Sequence, residues 1–102
     1  MKRPTTKEAY IYLVQSALDD VIDLKMSAEY DMDDMGAVLS FIGELEKEVT
    51  QLLSDIKSSS YEFKDEDLPL MNIVNAQNDF MLPFKSLFMR INDTHRKGLE
   101  QS

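Results

Sequence analysis

Apolar and polar positions recur along this chain with helical period in three stretches. From Lys7 to about Tyr30, Tyr10, Val14, Ala17, Val21, Leu24 and Ala28 follow one another at spacings of 4, 3, 4, 3 and 4, widened by Leu13, Leu18, Ile11 and Ile22. That rhythm keeps one side of a 3.6-residue helix apolar and predicts a first helix over residues 6–30. Thr5 or Thr6 can cap it by accepting a hydrogen bond from a first-turn amide. Asp31-Met32-Asp33-Asp34 interrupts the stripe as a turn. Val38, Phe41, Ile42, Leu45, Val49, Leu52, Leu53 and Ile56 then predict a second helix over 34–58. Clustered hydroxyls at Ser58-Ser59-Ser60 and the charged run from Glu62 to Asp67 end it, because neither buries surface. Asp67 reads as the next cap, with Pro69 tolerated in the first turn. Leu70, Ile73, Phe80, Phe84, Leu87 and Ile91 carry a third stripe, widened by Met81 and Phe88. Pro83 lacks the amide hydrogen a helix interior needs, so this segment should kink or divide into helices over 68–82 and 83–98, with Gly98 at the end.

Helices of about 25 residues joined by short loops pack antiparallel. The expectation is therefore an all-α fold in a single domain over 1–102: an antiparallel up-down bundle of three long helices, or four if Pro83 divides the last. With 102 residues, three Gly and three Pro, turn-rich sandwiches and barrels are disfavoured. The first five and last four residues should fray. The core is modest at this length, and pairing as a homodimer would enlarge it.

Charge changes the picture more than composition does. The formal charge of −8 is concentrated: residues 1–18 carry +2, residues 68–102 carry +1, and residues 19–67 carry −11. Such a field repels DNA and anionic membranes and attracts a basic protein. Tyr12, Asp19 and Asp23 share the first-helix face opposite Tyr10, with Asp20 alongside; Glu44, Glu48 and Asp55 line up on the second helix. Neither stripe has a Lys four residues on, so Glu44 and Glu48 repel each other by about a few tenths of a kcal/mol. These seven residues form the predicted partner-binding surface, with carboxylates steering a basic protein and Tyr12 giving contact area. The expected function is that of a non-catalytic adaptor, chaperone-like or inhibitory subunit. A second reading has the carboxylates imitate nucleic-acid phosphates and occupy the site of a DNA- or RNA-binding protein.

Other chemistry finds little to stand on. With no Cys, thiolate metal sites and disulfides are excluded, and no cofactor or metal is expected. Asp31 to Gly36 follows the opening of a calcium loop, but Met35 and Ile42 stand where oxygen ligands are required. One histidine cannot supply the paired Glu-x-x-His of a di-iron bundle. Met1-Lys2-Arg3-Pro4 resembles the basic head of a signal peptide, yet the apolar stretch after it runs only from Ala9 to Val14; a cytoplasmic protein is expected, with no membrane-spanning segment. Met26, Met32, Met35, Met71, Met81 and Met89 are expected to fill irregular core gaps, with a pliable groove that accepts a partner helix as the alternative.

Two short motifs meet at His95. Arg90-x4-His95 resembles the Arg-x4-His pair of the HEPN ribonuclease domains, which implies action on an RNA backbone. His95-Arg96-Lys97-Gly98 is similar to the His-x-x-Lys-Gly of helical HPt phosphotransfer domains, one residue short. On a continuous helix, residues five apart point about 140° away from each other, and an acidic surface disfavours RNA. His95 is expected to be partly exposed and, with Arg96 and Lys97, to complement a helix C-terminus.

Overall fold

The computed structural model describes residues 2–58 and 61–100, and among them the chain is an all-α bundle without strands. Its helices are α1 (Lys7–Tyr30), α2 (Met32–Met35), α3 (Leu39–Lys57), α4 (Met71–Asn75) and α5 (Lys85–Lys97), with a 3₁₀ turn at Gly36–Val38 between α2 and α3. No helix among the described residues is long and apolar enough to cross a membrane.

The first two stripes bury as their period requires. Tyr10, Val14, Ala17, Val21 and Ala28 of α1 meet Phe41, Ile42, Leu45, Val49 and Ile56 of α3 in one core. Thr6 caps α1, its hydroxyl accepting the Ala9 amide at 3.0 Å. The turn is helical in part, so α3 starts at Leu39, after α2 and the 3₁₀ turn, instead of at residue 34. Lys25 in the last third of α1 pairs with Glu46 in the first half of α3 at 3.0 Å, a contact that fits a hairpin of two helices joined by a short turn.

The third segment departs furthest from its predicted form. Helix 68–82 is reduced to the five residues of α4, and the break spans residues 76–84 instead of centring on Pro83. The Ala76 and Gln77 amides already tighten to bonds three residues back, and the Asn78 side chain accepts the Met81 amide at 2.9 Å, offering the backbone an alternative to helix. With the period lost, Phe80 is 87% exposed and Leu82 is buried in the core. Asp67 caps nothing; the residue preceding α4 is Leu70, with no side-chain cap. Gly98, at φ +81°, does end α5, a conformation glycine adopts without Cβ strain.

Hydrogen bonds give the direction of the last elements. The Lys64 amide donates to the His95 carbonyl and the Leu68 amide to the Asn92 side chain, so residues 64–68 run antiparallel to α5. The Glu100 amide donates to the Pro4 carbonyl and Arg3 Nε to the Gly98 carbonyl, while further along α1 the Tyr10 hydroxyl reaches back to the Ile91 carbonyl, so α5 also runs antiparallel to α1. The terminal segments expected to fray are thus tied to each other over residues 3–4 and 98–100; Met1, Gln101 and Ser102 lie outside the described residues, as do Ser59 and Ser60 of the serine run. At about 1.5 Å per residue α5 spans about 20 Å against about 36 Å for α1, so it accompanies only part of the α1/α3 hairpin in a molecule 46 Å long. Met71 fills the core as methionine was expected to, whereas Met26, Met32 and Met89 are exposed.

Candidate functional site

Tyr10 lies fully buried on the core face of α1, and a buried phenol needs hydrogen-bond partners. It finds Tyr61 Oη at 3.1 Å and the Ile91 carbonyl at 3.4 Å, and Tyr61 Oη in turn lies 2.5 Å from His95 Nδ1. Either phenol can donate across the Tyr10–Tyr61 contact, and the His95 tautomer sets which way the Tyr61–His95 bond runs. Burial pushes the Tyr10 phenol well up, reinforced by Tyr61, and burial also raises Tyr61 against the opposing effect of its bond to Tyr10.

His95 is therefore not the partly exposed residue expected in a last turn. The residue is buried, only 7% exposed, and Arg96 and Lys97 are left to complement the helix end. Burial holds its pKa below the ordinary 6.5, Glu66 opposing the effect and Lys64 adding to it. The unfolded chain binds a proton on this ring more readily than the folded one. Stability from His95 is accordingly complete above 6.5 and is lost as pH falls through the lower folded value. The urea midpoint of the wild type should drop further than that of His95→Gln between about pH 7.5 and about pH 5.5; equal drops would refute this.

Segment 61–70 lies beside α5 and the C-terminal half of α3. Asn92 clasps it from α5, accepting the Leu68 amide at 2.8 Å and donating to Asp67 at 2.9 Å. Arg96 adds ion pairs to Asp65 and Asp67 at 3.1 and 3.3 Å. The groove so formed has a volume of about 660 Å³, within the size range of ligand sites. Glu48 and Asp55 of α3 line it from one side, Glu62, Glu66 and Asp67 from the strap, together with Lys64, Tyr61 and His95.

The seven predicted partner-binding residues separate into two surfaces. Tyr12, Asp19, Asp20 and Asp23 lie on the exposed outer side of α1, and none of them lines the groove. Glu48 and Asp55 do line it, while Glu44 is exposed on the same α3 stripe. Asp19 accepts Gln15 Nε2 at 3.0 Å and Asp55 accepts Gln51 Nε2 at 2.8 Å. Among the described residues no cation pairs with any of these six carboxylates; the ion pairs run to Glu46, Asp65, Asp67 and Asp93. Two further residues extend the α1 face: Met26, 63% exposed, and Tyr30, 94% exposed, continue its spacing of four and three from Tyr12 through Ser16, Asp19 and Asp23. That continuation is present in the sequence, but allotting Met26 to the core hides it. Tyr61, Glu62, Glu66 and Asp67 have no such signal, since their place beside α3 is set by bonds from α5.

The paired motif on α5 does not come together. Arg90 Nε donates to the Lys2 carbonyl at 2.6 Å, and His95 turns to Tyr61. The Asp31–Gly36 stretch is helical turn, closed by the Met35 amide on the Asp31 carbonyl. Among the described residues no three His, Asp or Glu side chains are placed to hold a metal ion. No protein-family model, curated protein or solved structure matches this chain, so what its two acidic surfaces can bind is decided by their own chemistry.

Proposed function

We propose that this chain is a non-catalytic helical bundle that binds a basic protein through the outer face of α1 and the acidic stripe of α3. The observation that carries the reading is that Asp19, Asp20, Asp23, Glu44, Glu48 and Asp55 have no cationic partner among the described residues, in a chain of net charge −8. Unpaired carboxylates steer an oppositely charged surface and set its orientation, while affinity comes from buried contact area. Tyr12, Met26 and Tyr30 offer that area on the α1 face, each more than half exposed. Groups this exposed act over about 8 Å at physiological salt, so the interaction should be strongly ionic.

The test is capture of a basic protein by the immobilised full chain at low salt, followed by measurement of its affinity. Raising the salt to physiological strength should weaken binding by about tenfold or more, and Asp19→Lys with Asp23→Lys should abolish it with helicity unchanged. Binding indifferent to both would overturn the reading. Duplex DNA that competes for the captured protein would turn it toward mimicry of nucleic acid.

A further inference from the structure

The outer face of α1 carries a second stripe with the period of the buried one. Tyr12, Ser16, Asp19, Asp23, Met26 and Tyr30 follow one another at spacings of 4, 3, 4, 3 and 4. At 3.6 residues per turn these six fall within an arc of about 80°, opposite the core residues Tyr10, Val14, Ala17, Val21 and Ala28. Such alternation is the seam of a coiled coil, whose first and fourth heptad positions face a partner helix. Among the described residues no element of this chain covers it. Tyr12 is 75% exposed, Asp19, Asp23, Met26 and Tyr30 are exposed as well, and only Ser16 is half-buried. The stripe runs about 27 Å, five turns of helix, with large apolar side chains toward both ends and carboxylates at its centre. Asp20 and Glu29, both exposed, flank it where coiled coils place the charges that select a partner.

We infer that this face receives one amphipathic α-helix of a basic protein, apolar at both ends of its own seam and carrying Arg or Lys at the two central seam positions opposite Asp19 and Asp23. Three features choose this occupant. Tyr12 lies about 21 Å from Met26 and about 27 Å from Tyr30 along the axis, so only an elongated element reaches both ends. A helix whose backbone bonds are already made offers no edge to an extended strand, whereas a second helix packs along it. The central carboxylates require cations, because an apolar or acidic seam would leave them desolvated without a partner or repel them. A second copy of this chain does not meet that requirement: paired along the stripe in either direction, it would set four carboxylates in one seam. The basic protein of the proposed function is the source of this helix, and the assignment rests on that reading for its partner. The preference of the face for one seam pattern is measured without it.

The full chain, labelled with ¹⁵N, is titrated at low salt with a blocked helical peptide of about 20 residues whose six seam positions read Leu-Leu-Arg-Arg-Leu-Leu, the rest being Ala and Gln. That order is the same in both directions, so it fits whichever way the helix lies. One control is the isomer in which both Arg change places with Gln on the outer side; the other has Glu in place of Arg. The first peptide should shift the amides of residues 12–30 above all others. The isomer should bind about tenfold more weakly, and the Glu peptide should not bind. Asp19→Asn with Asp23→Asn should erase the preference over the isomer, and Tyr12→Ala with Tyr30→Ala should weaken binding by about tenfold through lost contact area. Glu62→Gln with Asp79→Asn, the same change of charge on exposed residues away from α1 and α3, should leave affinity within about twofold. Equal binding of the two Arg isomers, or equal losses in the two charge variants, would overturn the inference. So would a solution mass of two chains that falls to one in Tyr12→Ala with Tyr30→Ala, which would give the face to a second copy. If the peptide binds as expected and no basic protein is captured, the proposed function fails and the assignment of the face stands. If capture succeeds and the peptide shifts nothing in residues 12–30, only that assignment falls.

Discussion

Phe88→Ala should destabilise the protein by about 3–5 kcal/mol, the cost of removing a fully buried aromatic ring and leaving a cavity. Phe88 has no exposed surface, and its ring sits 5.9 Å from that of Phe84. The consequence is large because α5 depends on it. A helix of 13 residues is marginal on its own in water, and Phe88 and Ile91 are the apolar side chains by which α5 is fully buried. A chain of this length has about 5–15 kcal/mol of stability in total. The urea midpoint should fall by more than about 1 M, given a slope of about 1–3 kcal/mol per molar for small proteins. A shift below about 0.5 M would mean that α5 is held mainly by its polar contacts.

Asn92→Ala should cost about 1–3 kcal/mol through one identifiable atom, the Leu68 amide, which loses its acceptor in a buried setting. The same change removes the donor that holds Asp67, so the strap bordering the groove should loosen. Hydrogen exchange separates the two effects. The Leu68 amide should lose protection in Asn92→Ala, but keep it in Asn92→Asp, which retains an acceptor and sets a carboxylate against Asp67. Unchanged exchange at Leu68 in Asn92→Ala would show that the strap is held by Arg96 and the backbone bond from Lys64 to His95 instead.

These two residues also mark where sequence reading succeeds and where it stops. Phe88 widens a visible apolar stripe, and its burial follows from period alone. Asn92 sits three residues before the histidine with nothing in its surroundings to suggest that it clasps a segment 24 positions away. His95 is similar: a polar residue in a last turn reads as exposed, and only the Tyr10–Tyr61 chain makes its burial affordable. The α1 face was half legible. Its acids and Tyr12 follow from spacing, but methionine at helical spacing reads as core and Tyr30 only as a helix end, so neither announces its exposure.

The helices α1 and α3, their buried faces, the Thr6 cap, the Gly98 stop and the concentration of negative charge are properties of short stretches of chain, and the sequence alone determines them. A helix repeats every 3.6 residues, so a window of two or three turns suffices to say which side is apolar. The retreat of the third segment to a single turn at α4, the pinning of 61–70 against α5, the groove and the burial of His95 were decided only in the tertiary structure. Each depends on a hydrogen bond or ion pair between residues far apart in sequence, and such pairings leave no period to read.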